Sequence, residues 1–109
     1  MNKVERMTLP IKIPGVELAD FCKRWKVTEL ALFGSVLRDD FNAYSDVDFL
    51  VTFSPAARWS LFDLVSMQQD LERIFGRPVD LVEREAILQS PNYIRRKNIL
   101  QSAQVIYAP

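Results

Sequence analysis

Apolar positions along the chain switch between a helical and a strand-like spacing, and the switching predicts a small mixed sheet backed by helices. Leu18, Phe21, Cys22 and Trp25 recur at i, i+3, i+4 and i+7 behind Pro14 and Gly15, the stripe of an amphipathic helix reaching about Lys26. Residues 8–13 ahead of it read as a short extended stretch. Leu30, Ala31, Leu32 and Phe33 form a short apolar run that reads as a buried strand, ending in a Gly34-Ser35 turn with one helical turn over residues 36–38. Residues 39–45 are polar and loop-like, and residues 46–53 are rich in β-branched and aromatic side chains, the most strand-like segment of the chain.

Ser60 with Asp63 predicts a capping box for a helix whose face is Leu61, Leu64, Val65, Leu71 and Phe75, closed by Gly76 at C′. Residues 78–82 read as a second strand, with Pro78 confined to its first position. Ser90 and Pro91 suggest the N-cap and N1 of a last helix running to about Ala103, before a final short strand over residues 104–107. No repeat, low-complexity tract or linker divides the 109 residues, so one domain over 1–109 is expected.

Composition narrows the chemistry. Lys plus Arg and Asp plus Glu are 14 each, which argues against a general nucleic-acid or membrane-surface binder, whose affinity comes from a basic excess. No apolar run is long enough to span a bilayer and no secretory leader is evident, so a cytoplasmic location is expected. With a single cysteine, Cys22, and no histidine, an internal disulfide, a structural zinc site and an imidazole base are all ruled out. Any catalysis must use carboxylates, hydroxyls, Arg, Lys and bound metal.

Asp46 and Asp48 share one face of their strand, about 7 Å apart along it, because strand side chains alternate. Two such acids repel each other and call for a cation. An oxygen-rich set without imidazole or thiolate selects hard divalent ions, Mg²⁺ first and Mn²⁺ as a substitute. Asp80 lies on the other strand candidate, and if the two strands are neighbours three acids converge. Three carboxylates can hold two ions about 3.5 to 4 Å apart, clamping the attacking and leaving oxygens of a phosphoryl displacement. Gly34 and Ser35, between a strand and a helical turn, offer backbone N–H groups and a hydroxyl to phosphate, with Arg38 within reach. Taken singly, each feature is more often structural: an Asp-x-Asp on a solvated sheet edge, or a Gly-Ser that is only a turn.

The ordered set is far more specific. Residues 32–38, then 45–51, then Val79-Asp80-Leu81-Val82 resemble the DNA polymerase β-like nucleotidyltransferase superfamily, and most closely the minimal nucleotidyltransferases that serve as antitoxins beside HEPN-domain ribonuclease toxins. The resemblance extends over nearly the whole chain, although Asp39 stands where many members have Gly. It implies that Gly34 and Ser35 hold the donor phosphates, and that Asp46 and Asp48 hold two Mg²⁺ with Asp80 completing the site. It also implies that AMP passes from ATP to a tyrosine hydroxyl of the toxin, as in a type VII toxin–antitoxin pair. A homo-oligomer or a hetero-oligomer with the toxin would fit, with neither nucleic acid nor membrane as a direct partner. The alternatives are an antitoxin acting by occlusion alone, or transfer to a small-molecule acceptor. Arg58-Trp59 could anchor a partner or merely cover the edge of the core; Tyr44 could stack on an adenine or be modified but reads first as a surface loop residue; and Arg95-Arg96-Lys97 could contact nucleotide or RNA but reads first as a solvated helix face.

Overall fold

The structure, a computed structural model, describes residues 10–108. Helix α1 (Gly15–Arg24) is followed by β1 (Val27–Phe33), a 3-10 turn (Gly34–Leu37), β2 (Val47–Phe53), α2 (Leu61–Phe75), β3 (Val79–Glu83), α3 (Arg84–Leu88), α4 (Tyr93–Ser102) and β4 (Gln104–Tyr107). The strands form one mixed sheet in the order β3-β2-β1-β4, with β1 antiparallel to both β2 and β4, and β2 parallel to β3. The expected mixed sheet backed by helices is therefore present.

Alternation along the strands divides the core between the two faces of the sheet. Leu30, Leu32, Val47, Phe49, Val51 and Val79 pack with Leu18, Phe21 and Cys22 of α1 and with Met67 and Leu71 of α2. Ala31, Phe33 and Leu50 face the other way, against Ile87 of α3 and Ile99 of α4. Met67 and Leu71 are fully buried, and each such side chain contributes about 1.5 to 3 kcal/mol. The parallel β2–β3 pair needs a crossover, and α2 supplies it.

The capping box at Ser60 forms as expected: Ser60 Oγ accepts from the Asp63 amide, and an Asp63 carboxylate oxygen accepts from the Ser60 amide at 2.8 Å. Gly76 closes α2 in the left-handed conformation. Several boundaries differ from expectation. Strand β1 begins at Val27, directly after Lys26 turns the chain with φ of 56°. Asp46 lies one residue ahead of β2. The N-cap of α4 is Asn92, whose Oδ1 accepts from the Arg95 amide, whereas Ser90 Oγ accepts from the Asn92 amide in the preceding turn. Pro91 consequently sits outside the helix. Of the extended stretch predicted over 8–13, residues 8 and 9 lie outside the described residues, and residues 10–13 form no strand.

Trp59 is a cover for the core edge. Its ring meets Trp25 edge-on at 5.2 Å and its indole N–H donates to the Trp25 carbonyl at 3.0 Å, while the Trp25 indole N–H donates to Asp70. Among the described residues no helix is long and apolar enough to cross a membrane.

Candidate active site

The parallel register places Asp48 and Asp80 as direct Cα partners on neighbouring strands, so their side chains leave the same face of the sheet. Asp46 lies two residues before Asp48, and its negative charge, like that of Asp80, acts on the Asp48 carboxyl. Asp48 and Asp80 are thus side by side on one sheet face, and Asp46, just ahead of β2, lies near enough for its charge to be felt at Asp48. Farther along the same face Leu50 is covered by α3 and α4; at the acidic end Asp46 and Asp80 are exposed and Asp48 is half-buried.

Gly34 brings the Gly-Ser turn against Asp48. Its φ is +74°, and a Cβ there would lie 2.3 Å from Asp48 Oδ2. Only glycine lets the turn pass so close to a carboxylate. The Ser35 amide donates to Asp48 Oδ2 at 3.4 Å, and the Ser35 hydroxyl donates to the Asp46 carbonyl at 2.8 Å. Ser35 therefore ties the turn to the segment carrying both acids. Arg38 closes the turn, with its amide donating to the Ser35 carbonyl and its guanidinium beside Asp40.

The carboxyl of Asp48 is held above its ordinary range, first by burial. The Ser35 amide opposes this, the charges of Asp80 and Asp46 raise it further, and Arg38 pulls it down. Such a carboxylate gains from a nearby cation. The donors are all oxygens, which suits Mg²⁺ or Mn²⁺. Among the described residues no trio of acidic, His or Cys side chains is drawn together tightly enough to enclose an ion. The donor chemistry fits a hard cation, and ligation would require the exposed Asp46 and Asp80 side chains to turn toward Asp48.

Two further residues, Arg77 and Asn98, lie at this end of the sheet with no chain-local pattern pointing to them. Arg77, two positions before β3, donates from one guanidinium nitrogen to the carbonyls of Asn42 and Ser45, each at 3.1 Å, and its guanidinium lies 4.6 Å over the Phe41 ring. It pins the loop that delivers Asp46, across more than thirty residues of sequence. Asn98 and Arg95, the latter in the basic run of α4, line a cleft of about 590 Å³ beside Gly34 and Arg38. Tyr44 is 92% exposed at the loop tip, as expected of a surface tyrosine.

Comparison with known proteins agrees with this geometry. The nucleotidyltransferase domain family model matches residues 17–106. A Methanocaldococcus jannaschii protein assigned as a protein adenylyltransferase is 32% identical over 88 residues, covering 80% of this chain and 81% of that one. Protein adenylyltransferase MntA of Thermococcus cleftensis is 35% identical over 65 residues, which is 60% of this chain and 64% of that relative. Among solved structures, one described as a minimal nucleotidyltransferase superposes with a TM-score of 0.62 at 29% identity, over 82% of this chain and 84% of that one. A toxin–antitoxin crystal structure with AMP-PNP shares the fold at a TM-score of 0.66 and 17% identity, over 89% of this chain and 75% of that one. With a glycine turn pressed onto Asp48 and a family model matched over residues 17–106, the chain belongs to the nucleotidyltransferase domain family.

Proposed function

We propose that this chain, acting as one catalytic domain, transfers AMP from ATP to a hydroxyl, a tyrosine of a HEPN-type ribonuclease toxin, and so serves as that toxin's antitoxin. The observation that carries the reading is the pairing of Asp48 with Asp80 across β2 and β3 while Gly34 backs onto Asp48. The names of the Methanocaldococcus and Thermococcus relatives support protein adenylylation, and the toxin–antitoxin assembly seen for a fold neighbour supports the class of partner.

In this reading Asp46, Asp48 and Asp80 hold Mg²⁺, which when bound offsets the negative charge of the site and of the polyphosphate and polarises the phosphorus under attack. Gly34 lets the turn close onto Asp48, Ser35 ties it to the acid-bearing segment, and the donor phosphates rest along this turn, met by Arg38 as a charge-assisted donor. Asp80, exposed at the edge strand, faces an incoming acceptor and takes the proton from its hydroxyl. The acceptor oxygen bonds to the α-phosphorus, the bond to the bridging oxygen breaks, and pyrophosphate departs.

The test is to incubate the chain with ATP, Mg²⁺ and a HEPN-domain protein encoded beside it, and to weigh the products intact. Mass increments of one or more AMP units on the HEPN protein, abolished by Asp48→Asn, are expected. Inhibition of the toxin with no added mass would replace this reading with occlusion, and labelling of small molecules alone would move the acceptor class.

A further inference from the structure

We infer that Tyr44 is itself an acceptor, its hydroxyl taking AMP from the active site of a second copy of this chain; this rests on the nucleotidyl-transfer reading above. Tyr44 stands at the tip of the loop that delivers Asp46, and it is 92% exposed. It lies four positions before Asp48 in the chain, so their Cα atoms are at most about 14 Å apart. A freely accessible phenol thus stands beside the open end of the site, where Asp46 and Asp80 are also exposed.

The loop holds this side chain out. The Tyr44 amide donates to Asn42 Oδ1 at 2.8 Å, the Asn42 amide to Ser45 Oγ at 3.1 Å, and the Ser45 amide to the Asn42 carbonyl at 3.1 Å. Arg77 grips the carbonyls of Asn42 and Ser45 from outside the loop. A turn closed in this way fixes the backbone under Tyr44, so little ordering is left to be done when the phenol enters a site. The other two tyrosines are engaged elsewhere: Tyr93 lies under the Arg96 guanidinium, and Tyr107 packs on the core.

The pinned turn keeps the phenol in solvent, where the site of another molecule can reach it. Because tyrosine and site are neighbours on the surface, a two-fold encounter between copies seats each Tyr44 at the other's acids at once. Tyr44 Oη then bonds to the α-phosphorus of ATP, the bond from that phosphorus to the bridging oxygen breaks, and pyrophosphate leaves. The phenolic proton passes to Asp80 of the copy that holds the ATP.

The full chain incubated alone with ATP and Mg²⁺ and weighed intact is expected to gain the mass of AMP. Fragment spectra are expected to place it on Tyr44, and Tyr44→Phe is expected to gain none. A mass-tagged Asp48→Asn chain, its own site disabled, is expected to take AMP when mixed with the untagged parent. Tenfold dilution is expected to slow labelling per chain about tenfold, as an encounter between two molecules requires. AMP passed to a HEPN-domain protein but none to the chain itself, or AMP on a residue other than Tyr44, would overturn this inference and leave the functional reading standing. Labelling of the parent with none on the tagged Asp48→Asn chain, or at a rate indifferent to dilution, would place the step within one molecule and overturn the role of the second copy. No transfer to either protein would overturn the functional reading and this inference together.

Discussion

Gly34 and Asp48 are in such close contact that a methyl group on the first would stand 2.3 Å from a carboxylate oxygen of the second. The glycine is also in the left-handed region, where other residues are disfavoured by about 1–2 kcal/mol. Gly76 supplies an internal control, since its φ is +69° but nothing lies within 4 Å of a Cβ there. Gly34→Ala should therefore lose about 2–4 kcal/mol in denaturant melts, strain and overpacking together, and lose transfer activity. Gly76→Ala should lose only about 1–2 kcal/mol and keep its activity. Equal losses in the two variants would show that the contact with Asp48 carries no weight.

Asp48 couples function against stability. Burial first, then the charges of Asp80 and Asp46, hold its carboxyl above the ordinary range despite the Ser35 amide and Arg38. A raised native pKa means that the protonated form favours the fold, so this stabilisation is present below the unfolded-state pKa and is lost as pH rises through the native value. In metal-free protein Asp48→Asn should accordingly melt higher than the parent at neutral pH, with the gap closing below about pH 4. The same variant should lose transfer by about 100-fold or more. Mg²⁺ should raise the melting temperature of the parent and not that of the variant. A parent that melts higher than Asp48→Asn without metal at pH 7 would reverse the sign of this account.

These two residues also mark how far the chain could be read before its fold was known. Alternation alone puts Asp46 and Asp48 on one face, and the local signals at Ser60 and Gly76 bound α2 because caps act within three or four residues. Helix α3 lacked any such signal: five residues, no side-chain cap, and only Ile87 buried. At the start of α4 both Ser90 and Asn92 are able caps, and the choice between them was settled by which one reached the Arg95 amide. The hydroxyl of Ser35 donates to the Asp46 carbonyl. That contact, and those of Arg77, depend on elements far apart in the chain meeting in space, which periodicity does not encode.

Arg77 offers a test of how the loop before β2 is held. Its two hydrogen bonds to the Asn42 and Ser45 carbonyls and its stacking on Phe41 hold the loop from the β3 side, while the Ser35 hydroxyl holds it at the Asp46 carbonyl and Phe41 packs on the core. Arg77→Met keeps the length of the side chain and removes the donors, at a cost of about 1.5–3 kcal/mol for charged hydrogen bonds. Amide exchange should accelerate across residues 42–46 while the buried amides of β1 remain protected. Transfer should fall mainly through kcat, because Asp46 loses its fixed position without any change in the nucleotide contacts. Uniformly faster exchange across the sheet would mean that Arg77 supports the fold as a whole and has no particular hold on the loop.

Cys22 should be chemically silent in the native protein. It is 1% exposed in the stripe of α1 that packs on the sheet, and burial pushes its thiol up to about 12. The thiolate is the reactive form, and at pH 8 almost none is present. Alkylation by iodoacetamide should therefore proceed only through unfolding, with a rate that follows denaturant concentration along the unfolding transition. Cys22→Ser should destabilise by about 1–3 kcal/mol, because a hydroxyl there would be buried without a partner, whereas Cys22→Ala should cost less. Rapid labelling of the native chain without denaturant would show that α1 opens from the sheet far more readily than the packing of Leu18 and Phe21 beside Cys22 allows.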